Sequence, residues 1–183
     1  MQRVYESKRL FLKVLDITDG KLVLDYYLRN RDFLAEWEPK RSEEFYTEEY
    51  QVKQLAEELV NIEKNNLFKL WIFKKDDNSK IIGCVVFNNI VRGAFLSCHL
   101  GYKSDKDEIN KGYLTEAIEK GIEIMFNQFG LHRIEANIMP KNKRSLRVVE
   151  KLDFYNEGVA YKYLKINGKW EDHIHMVLLN DKV

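Results

Sequence analysis

The stretch E-I-N-K-G-Y-L-T-E-A, residues 108–117, places a short polar turn directly in front of an amphipathic helix. Gly112 lets the backbone of this turn approach a ligand closely, and the first helical turn leaves several N–H groups without intrahelical acceptors. These groups carry the positive end of the helix dipole, and Lys111 adds a charge beside them. The junction favours an anion such as a phosphate group, although many helices that bind nothing also begin after a glycine-containing turn.

The residues after this turn predict a helix, a strand and a second helix. An apolar stripe at helical spacing consists of Leu114, Ala117, Ile118, Gly121, Ile122, Met125 and Phe129, and Gly130 is predicted to cap the helix. Residues 132–139 then alternate, with Ile134, Ala136 and Ile138 on one face and Arg133, Glu135 and Asn137 on the other. Pro140 ends this strand, and either Asn142 or Ser145 caps the helix that follows.

The remaining patterns complete a mixed α/β fold. We expect an amphipathic region over 22–37, a helix over 48–61, strands near 70–74, 80–90 and 94–102, and two strands over 159–166 and 169–179. The last two are joined by Asn167-Gly168, a strong hairpin signal. Strand, helix and strand across 94–139 imply a parallel pair, whereas the hairpins supply antiparallel neighbours.

Composition favours one compact domain over residues 1–183. The chain is 45% hydrophobic and 32% charged, and its two prolines and lack of repeats offer no linker. A net charge of +1 gives no global field for nucleic acid or an anionic membrane. Apolar runs are too short to span a bilayer, and we see no signal peptide, so we expect a cytoplasmic protein. Cys84 and Cys98 are predicted to be buried thiols, and no metal site is visible.

Several motifs in order resemble one known family. They are L-G-Y at 100–102, N-K-G-Y-L-T-E-A at 110–117, G-L-H-R-I-E-A at 130–136 and P-K-N-K-R-S-L-R-V-V-E-K-L-D-F at 140–154. Together they resemble GNAT-superfamily N-acetyltransferases of the RimJ/RimL type. N-E-G at 156–158 and Y-L-K-I-N-G-K-W-E-D-H at 163–173 are similar to that branch in particular, which acetylates the N-terminal α-amine of ribosomal proteins.

The resemblance implies a fold and a cosubstrate. It implies a GNAT fold, with a mixed central sheet of about six to seven strands, helices on both faces, and two adjacent parallel strands that splay apart to admit acetyl-CoA. Backbone groups of Leu100, Gly101 and Tyr102 would then pair with the pantetheine arm like an added strand. The turn would hold pyrophosphate through Asn110, Lys111, Gly112, Tyr113, Leu114 and Thr115, and Asn142 would hold the cofactor arm. Ile109 and Leu114 depart from the family's Q/R-x-x-G-x-G/A signature.

Two basic clusters also suit a ligand with several phosphates, although a solvated face is the ordinary alternative. One cluster lies near the second helix, at Lys141, Lys143, Arg144 and Arg147, and the other flanks the turn, at Lys103, Lys106 and Lys111.

The resemblance also implies catalytic residues. Glu135 corresponds to a catalytic glutamate of the superfamily and is the first candidate base, directly or through a water, the alternative being a solvated or salt-bridged strand residue. An α-amine is about 10–20% neutral at pH 7, against roughly 0.04% for a lysine side chain, so an N-terminal acceptor needs little base. Val149 stands where relatives carry a tyrosine acid, so Ser145 is the candidate donor to the leaving thiolate, unless it serves only as a cap.

The acceptor is the open part of this prediction. A protein α-amine, most simply a ribosomal protein N-terminus, leads; a polyamine or other small amine is the alternative, favoured if Glu36, Glu38, Glu43 and Glu44 line the pocket. A third interpretation, motivated by Val149, Ile109 and Leu114, is a non-catalytic acyl-CoA-binding module. The sequence leaves monomer and homodimer equally open.

The remaining candidates are aromatic and histidine side chains. Trp37, Tyr46 and Tyr102 are acceptor-pocket candidates. We expect the four histidines to be paired structurally, with Asp172-His173 as the exception to examine.

Overall fold

The computed structural model describes residues 2–183, so Met1 lies outside the described residues. Eight strands form one sheet in the order β1-β2-β3-β4-β5-β6-β8-β7. The strands are β1 (Val4–Glu6), β2 (Leu10–Lys13), β3 (Phe68–Lys74), β4 (Gly83–Val91), β5 (Ser97–Ser104), β6 (Arg133–Ile138), β7 (Tyr155–Ile166) and β8 (Lys169–Leu179). The helices are α1 (Gly20–Arg29), α2 (Arg31–Ala35), α3 (Glu48–Glu63), α4 (Tyr113–Asn127) and α5 (Lys143–Glu150).

The mixed sheet is confirmed, but it has eight strands rather than six to seven. The strands missing from the prediction are β1 and β2, which have three and four residues, too few to establish an alternating pattern. They pair antiparallel with each other, and β2 pairs antiparallel with β3. The N-terminal segment therefore extends the sheet past β3 and brings residues 7–9 close to α4.

Helices cover both faces of the sheet, as expected. On one face, α1 and α3 pack on β3 and β4 through a cluster that includes Tyr26, Tyr27, Leu55, Trp71 and Cys84. On the other face, α4 and α5 pack through a larger cluster that includes Leu70, Phe87, Ile118, Met125 and Val149. We refer below to the α1/α3 face and the α4/α5 face of the sheet.

The C-terminal hairpin and the cysteines follow the sequence closely. Asn167 and Gly168 have φ of +43° and +81°, as a tight two-residue hairpin turn requires. Both cysteines are buried free thiols, and burial raises the pKa of Cys98 to about 12. α4 ends at Asn127, two residues earlier than a cap at Gly130 predicts, and Gly130 lies in the following loop with φ +62°. Among residues 2–183, no helix combines the length and apolar character needed to cross a membrane.

The parallel pair β5 and β6 separates partway along its length. Only Ser97 with Arg133, Cys98 with Ile134, and His99 with Glu135 are paired. Beyond His99, β5 continues to Ser104 with β4 as its neighbour, while β6 continues to Ile138 with β8 as its neighbour. The predicted splay between these two strands is confirmed, and it leaves two strand edges facing an opening in the middle of the sheet.

Candidate functional site

The edge of β5 at residues 100–102 lies along this opening. If the parallel register continued, Gly101 would face Asn137, but the two positions are not paired. Gly101 is exposed, and a Cβ atom built on it would meet nothing within 4 Å. Backbone groups on this edge are therefore available to an extended ligand, as strand addition requires.

The turn before α4 is built from backbone in left-handed conformations. Asn110 and Gly112 have φ of +62° and +78°, and Gly112 is the residue that precedes the helix. In the part of the chain that the structure describes, no acceptor receives the backbone N–H groups of residues 110–115. A row of free N–H groups at a helix N-terminus is an arrangement that binds phosphate oxygens.

Arg9, which the sequence patterns did not indicate, supports this turn. Its Nη1 donates to the carbonyl of Lys111 at 3.0 Å, and its Nε donates to Glu116 at 2.7 Å. Its guanidinium lies over the Tyr113 ring, 4.5 Å from the ring centroid. Glu116 also accepts hydrogen bonds from the Ser7 hydroxyl and the Arg9 N–H, both at 2.7 Å. No local pattern could reveal Arg9, because it lies about a hundred residues away from the turn that it contacts.

Asp105 anchors the other end of the turn. Its carboxylate is fully buried and accepts hydrogen bonds from Arg29 Nε at 3.0 Å, Asn30 Nδ2 at 3.2 Å and the Asp107 N–H at 3.0 Å. Burial alone would raise the pKa of Asp105, but these hydrogen bonds outweigh burial and lower it. The turn is thus tied to α1 by an ionised carboxylate.

The lysines that flank the turn are engaged with carboxylates. Lys111 Nζ lies 2.9 Å from Glu108, and Lys106 Nζ lies 3.0 Å from Asp107. Lys103 points to the α1/α3 face, where it pairs with Glu38. The expected cluster of free positive charge is therefore absent at these three described positions, and the backbone N–H groups remain as the main anion-binding feature of the turn.

Asn142, Ser145 and Tyr102 meet on the α4/α5 face. Asn142 Oδ1 accepts the Ser145 N–H at 3.1 Å, so Asn142 rather than Ser145 caps α5. The Ser145 hydroxyl donates to Tyr102 Oη at 2.6 Å, and that phenol donates to the Ser145 carbonyl at 3.0 Å. Burial raises the pKa of Tyr102, and the hydrogen bond from Ser145 offsets part of the rise. Two hydroxyl groups thus lie beside the opening, whereas Val149 is buried in the core.

Glu135 lies at the last paired position before the opening, and both of its oxygens are engaged. Oε2 accepts from Arg133 Nη2 at 2.8 Å, and Oε1 lies 2.9 Å from His175 Nδ1 and 3.7 Å from His99 Nε2. Burial raises the pKa of Glu135, but hydrogen bonds from Arg133 and Asn137 and the two histidines together lower it. The residue is both at the candidate site and salt-bridged, and its affinity for a proton is reduced.

His175 and Asn137 each carry a buried polar atom without a partner. Among the described residues, His175 Nε2 and Asn137 Oδ1 have no hydrogen-bond partner and no measurable exposure. The two residues are directly paired across β8 and β6, so their side chains lie on the same face of the sheet. An unsatisfied buried polar atom costs about 1–3 kcal/mol, so the pair marks a place where a polar group is expected to bind.

The other histidines are paired structurally. His132 Nδ1 lies 3.1 Å from the Asn180 carbonyl, and His173 Nδ1 lies 3.0 Å from the Glu171 carbonyl. Asp172 accepts the Lys162 N–H at 2.8 Å instead of contacting His173. Asp172-His173 is therefore not a catalytic pair in this structure. The histidines at the candidate site are His175 and His99, and His99 Nδ1 also lies 3.1 Å from Asn89 Nδ2.

A pocket of about 290 Å³ lies on the α1/α3 face beside Gly101, Tyr102 and Lys103. Its charged lining comprises Arg41, Lys69, Lys103 and Glu58, which gives three cations and one carboxylate. Tyr46 lines a neighbouring pocket of about 210 Å³, and the described lining of neither pocket includes Trp37.

Two of the four glutamates expected in a polycation pocket, Glu38 and Glu43, line the 210 Å³ pocket, and the described lining of the larger pocket includes none of the four. Glu38 is buried and pairs with Lys103 and Arg41, while Glu43 pairs with Arg31 at the surface. Glu36 and Glu44 are exposed. The larger pocket therefore lacks the carboxylate lining that a polycation would need.

Comparison with known proteins places these features in a family context. A family model described as "Acetyltransferase (GNAT) domain" matches residues 9–155. Over 175 residues the chain is 38% identical to a "Probable N-acetyltransferase YjcK" of Bacillus subtilis, covering 96% of each chain. It is 37% identical over 171 residues to the "[Ribosomal protein uS5]-alanine N-acetyltransferase" of Escherichia coli, covering 92% of this chain and 86% of that one. A ribosomal-protein-S5-alanine acetyltransferase structure from Vibrio fischeri superposes with a TM-score of 0.92 at 37% identity, covering 98% of both chains.

Proposed function

This chain belongs to the GNAT acetyltransferase family and is an N-acetyltransferase, and we propose that its acceptor is the N-terminal α-amine of a protein, first of all a ribosomal protein. Acetyl-CoA is the acetyl donor of this family. We treat residues 1–183 as one catalytic domain, which would act in the cytoplasm where ribosomal proteins are made.

The described residues fit acetyl-CoA at two places. The unpaired edge of β5 at residues 100–102 offers strand-like hydrogen bonds to the amide groups of pantetheine. The free N–H groups of residues 110–115 offer a cradle for pyrophosphate, and Gly112 keeps that cradle open because a Cβ there would lie 3.3 Å from Arg9 Nη2. The acetyl group would then lie at the opening between Tyr102 and Glu135.

The residues around the opening can manage the protons of the transfer. Acetyl-CoA supplies the acetyl thioester, whose carbonyl carbon is transferred to the amine nitrogen. The hydroxyl pair of Ser145 and Tyr102 stands on the α4/α5 side and can donate a proton to the departing sulfur. Glu135 and its partners stand at the edge of β6 on the α1/α3 face, the side from which the acceptor would enter.

The charged side chains around the 290 Å³ pocket, which we take as the acceptor pocket, favour a peptide α-amine over a polyamine. Glu58 in its lining is already paired with Lys69, and the adjacent Glu38 is paired with Lys103 and Arg41, so the described lining offers no free carboxylate to the ammonium groups of a polyamine. A peptide α-amine is partly neutral at pH 7 and needs no carboxylate-lined pocket. The two relatives named for acetylating the alanine of ribosomal protein S5 support the same choice.

The test is an acceptor panel read by mass spectrometry. The protein is incubated with acetyl-CoA and matched peptide pairs, one with a free α-amine and one with a blocked α-amine and an internal lysine, together with spermidine. We expect acetylation of the free-α-amine peptides alone, with alanine-initiated ribosomal sequences among the best acceptors. Acetylation confined to spermidine or to lysine side chains would overturn the proposal.

A further inference from the structure

His175 reaches the opening from β8, on which Asp172-His173 rather than His175 was the predicted pair to examine. Its Nδ1 lies 2.9 Å from Glu135 Oε1, while its Nε2 is buried and has no partner in the described chain. The ring is held on a second side by the edge of Tyr163, 5.0 Å between centroids. Its orientation is thus fixed by a hydrogen bond and by packing, as a preorganised catalytic group requires.

The hydrogen bond to Glu135 determines which ring nitrogen is free. A carboxylate accepts only, so Nδ1 must carry the hydrogen that it donates to Oε1. A neutral imidazole with its hydrogen on Nδ1 has a lone pair on Nε2. The unpartnered atom of His175 is therefore a hydrogen-bond acceptor and a base.

Asn137 provides a second acceptor beside it. Its Oδ1 is buried and has no hydrogen-bond partner among the described residues, so this oxygen is an unsatisfied acceptor. Two acceptors on directly paired residues call for one group that donates twice, such as an amine or ammonium. A carbonyl or carboxylate group would not satisfy them.

The position of these acceptors matches the reaction. Asn137 lies where β6 would meet Gly101 of β5 if the strands stayed together, so it faces the open edge. Gly101 also borders the 290 Å³ pocket on the same face of the sheet. An acceptor that enters this pocket would reach Gly101, across the open strand edge from Asn137.

We propose that His175 is the general base of this acetyltransferase: its Nε2 accepts a proton from the substrate amine while Glu135 orients the ring through Nδ1. The proposal rests on the α-amine acceptor proposed above. The neutral substrate amine attacks the acetyl carbon, its nitrogen gives one proton to Nε2 as the C–N bond forms, and the C–S bond breaks with its electron pair leaving on sulfur as the thiolate of coenzyme A. Asn137 Oδ1 accepts a second N–H of the amine and directs its lone pair.

Glu135 is less suitable than His175 as the base, because its carboxylate already has hydrogen-bond donors that stabilise the ionised form. Both oxygens accept hydrogen bonds, and those bonds lower its pKa. Its role in the proposal is to position His175. The charged and titratable groups that face His175 are Glu135 and Arg133 on β6, His99 on β5, Tyr163 and Glu157 on β7, and His173 on β8.

The decisive variant is His175→Asn, because an asparagine Nδ2 occupies nearly the place of Nδ1 and can still donate to Glu135 while Nε2 is removed. We expect kcat/KM for a free-α-amine peptide to fall about 100-fold, the size typical of a lost general base. In the wild type, log(kcat/KM) should rise on the acid side with a slope that approaches two, because both the substrate amine and the imidazole must have lost a proton. In His175→Asn the slope should fall to one. A variant that keeps activity within threefold and a slope of two would show that His175 only positions Glu135, and would overturn the proposal.

Two controls separate catalysis from folding. His132→Gln changes a histidine whose Nδ1 meets a backbone carbonyl outside the opening, and it should leave both the rate and the slope unchanged. Acetyl-CoA affinity measured by calorimetry should be the same in His175→Asn and wild type, because the pantetheine edge and the turn do not involve His175.

A measurement that needs no turnover tests the role of His175 independently of the proposed acceptor. Nitrogen NMR of the wild-type histidine rings should show His175 as the tautomer with hydrogen on Nδ1 at pH 8. Hydrogen on Nε2 would overturn the proposal whatever the acceptor is. Conversely, a wild type that acetylates none of the panel peptides while showing the Nδ1 tautomer would refute the α-amine acceptor and leave the assigned base standing.

Discussion

The turn before α4 offers backbone groups to a ligand, whereas the cluster on β6 and β8 offers side chains. The turn binds through backbone N–H groups, which depend on the φ angles of Asn110 and Gly112 and on the start of a helix. The cluster works through the side chains of Glu135, Asn137 and His175, contributed by two strands that are forty residues apart in the sequence. A backbone site can therefore be recognised from one short stretch of sequence, whereas a side-chain site depends on strand register.

The most damaging change to the backbone site is Gly112→Glu. A residue with a Cβ is strained at φ +78°, and the added carboxylate would occupy the place of an anion close to Arg9. We expect acetyl-CoA affinity to fall more than about 100-fold by calorimetry, since a phosphate site is filled and its dipole neutralised. Gly93→Glu is the matched control, because Gly93 also has a positive φ but its Cβ direction is open. Equal loss in both variants, or unchanged affinity in Gly112→Glu, would refute the placement of pyrophosphate.

Changes to the side-chain site should lower the rate of acetyl transfer and leave acetyl-CoA affinity unchanged. Glu135→Gln removes the charge that holds His175, and we expect kcat/KM to fall by about 100-fold with acetyl-CoA binding retained. Glu157→Gln is the matched control, because Glu157 bonds the same Arg133, at 2.8 Å, but reaches it from the exposed side. A rate loss of equal size in both variants would assign the effect to Arg133 rather than to His175.

The lowered pKa of Glu135 predicts that the stability of the folded protein depends on pH. Its pKa is lowered in the folded state, so the stabilisation is complete above the unfolded carboxyl pKa of about 4.3 and is lost as the pH falls through the folded value. Urea unfolding at a series of pH values should therefore show a smaller loss of stability on acidification in Glu135→Gln than in wild type. Identical acid sensitivity would mean that the hydrogen bonds to Glu135 do not favour its charged form.

A weaker effect on the rate is expected from changes to the hydroxyl pair of Ser145 and Tyr102. Ser145→Ala and Tyr102→Phe should each lower kcat by about tenfold, because a thiol of pKa about 8.5 leaves without much assistance. The double variant should be no slower than either single one, since the two hydroxyls act through one hydrogen bond. Multiplicative losses would show that Ser145 and Tyr102 act separately.

The smallest effect is expected at Lys111, the residue with the most obvious charge in the turn. Its Nζ is already paired with Glu108, so Lys111→Ala should change acetyl-CoA affinity by less than about threefold at 0.15 M salt. A drop of more than tenfold would mean that the side chain leaves Glu108 to bind phosphate, and that the turn is a side-chain site after all.

The prediction from sequence succeeded where short-range geometry was sufficient. The turn at Gly112, the Asn167-Gly168 hairpin and the alternating faces of β6 follow from φ preferences and from the two-residue repeat of a strand. It failed for β1 and β2, which are too short to show a period, and for Arg9, whose contact with the turn depends on those strands. It also discounted His175, because a histidine in a strand-like run is usually paired structurally and nothing nearby in the sequence indicates its partner.

The sequence by itself determined the family, the backbone turn, the polar face of β6 and the absence of a tyrosine at Val149. Each of these depends on residue identity or on neighbours within a few positions of the chain. Only the tertiary structure decided that Glu135 is held by Arg133 and His175, that Lys111 is paired with Glu108, and that Tyr102 meets Ser145. These contacts are set by strand register and helix packing, so the charge available at the site could be judged only after the chain was folded.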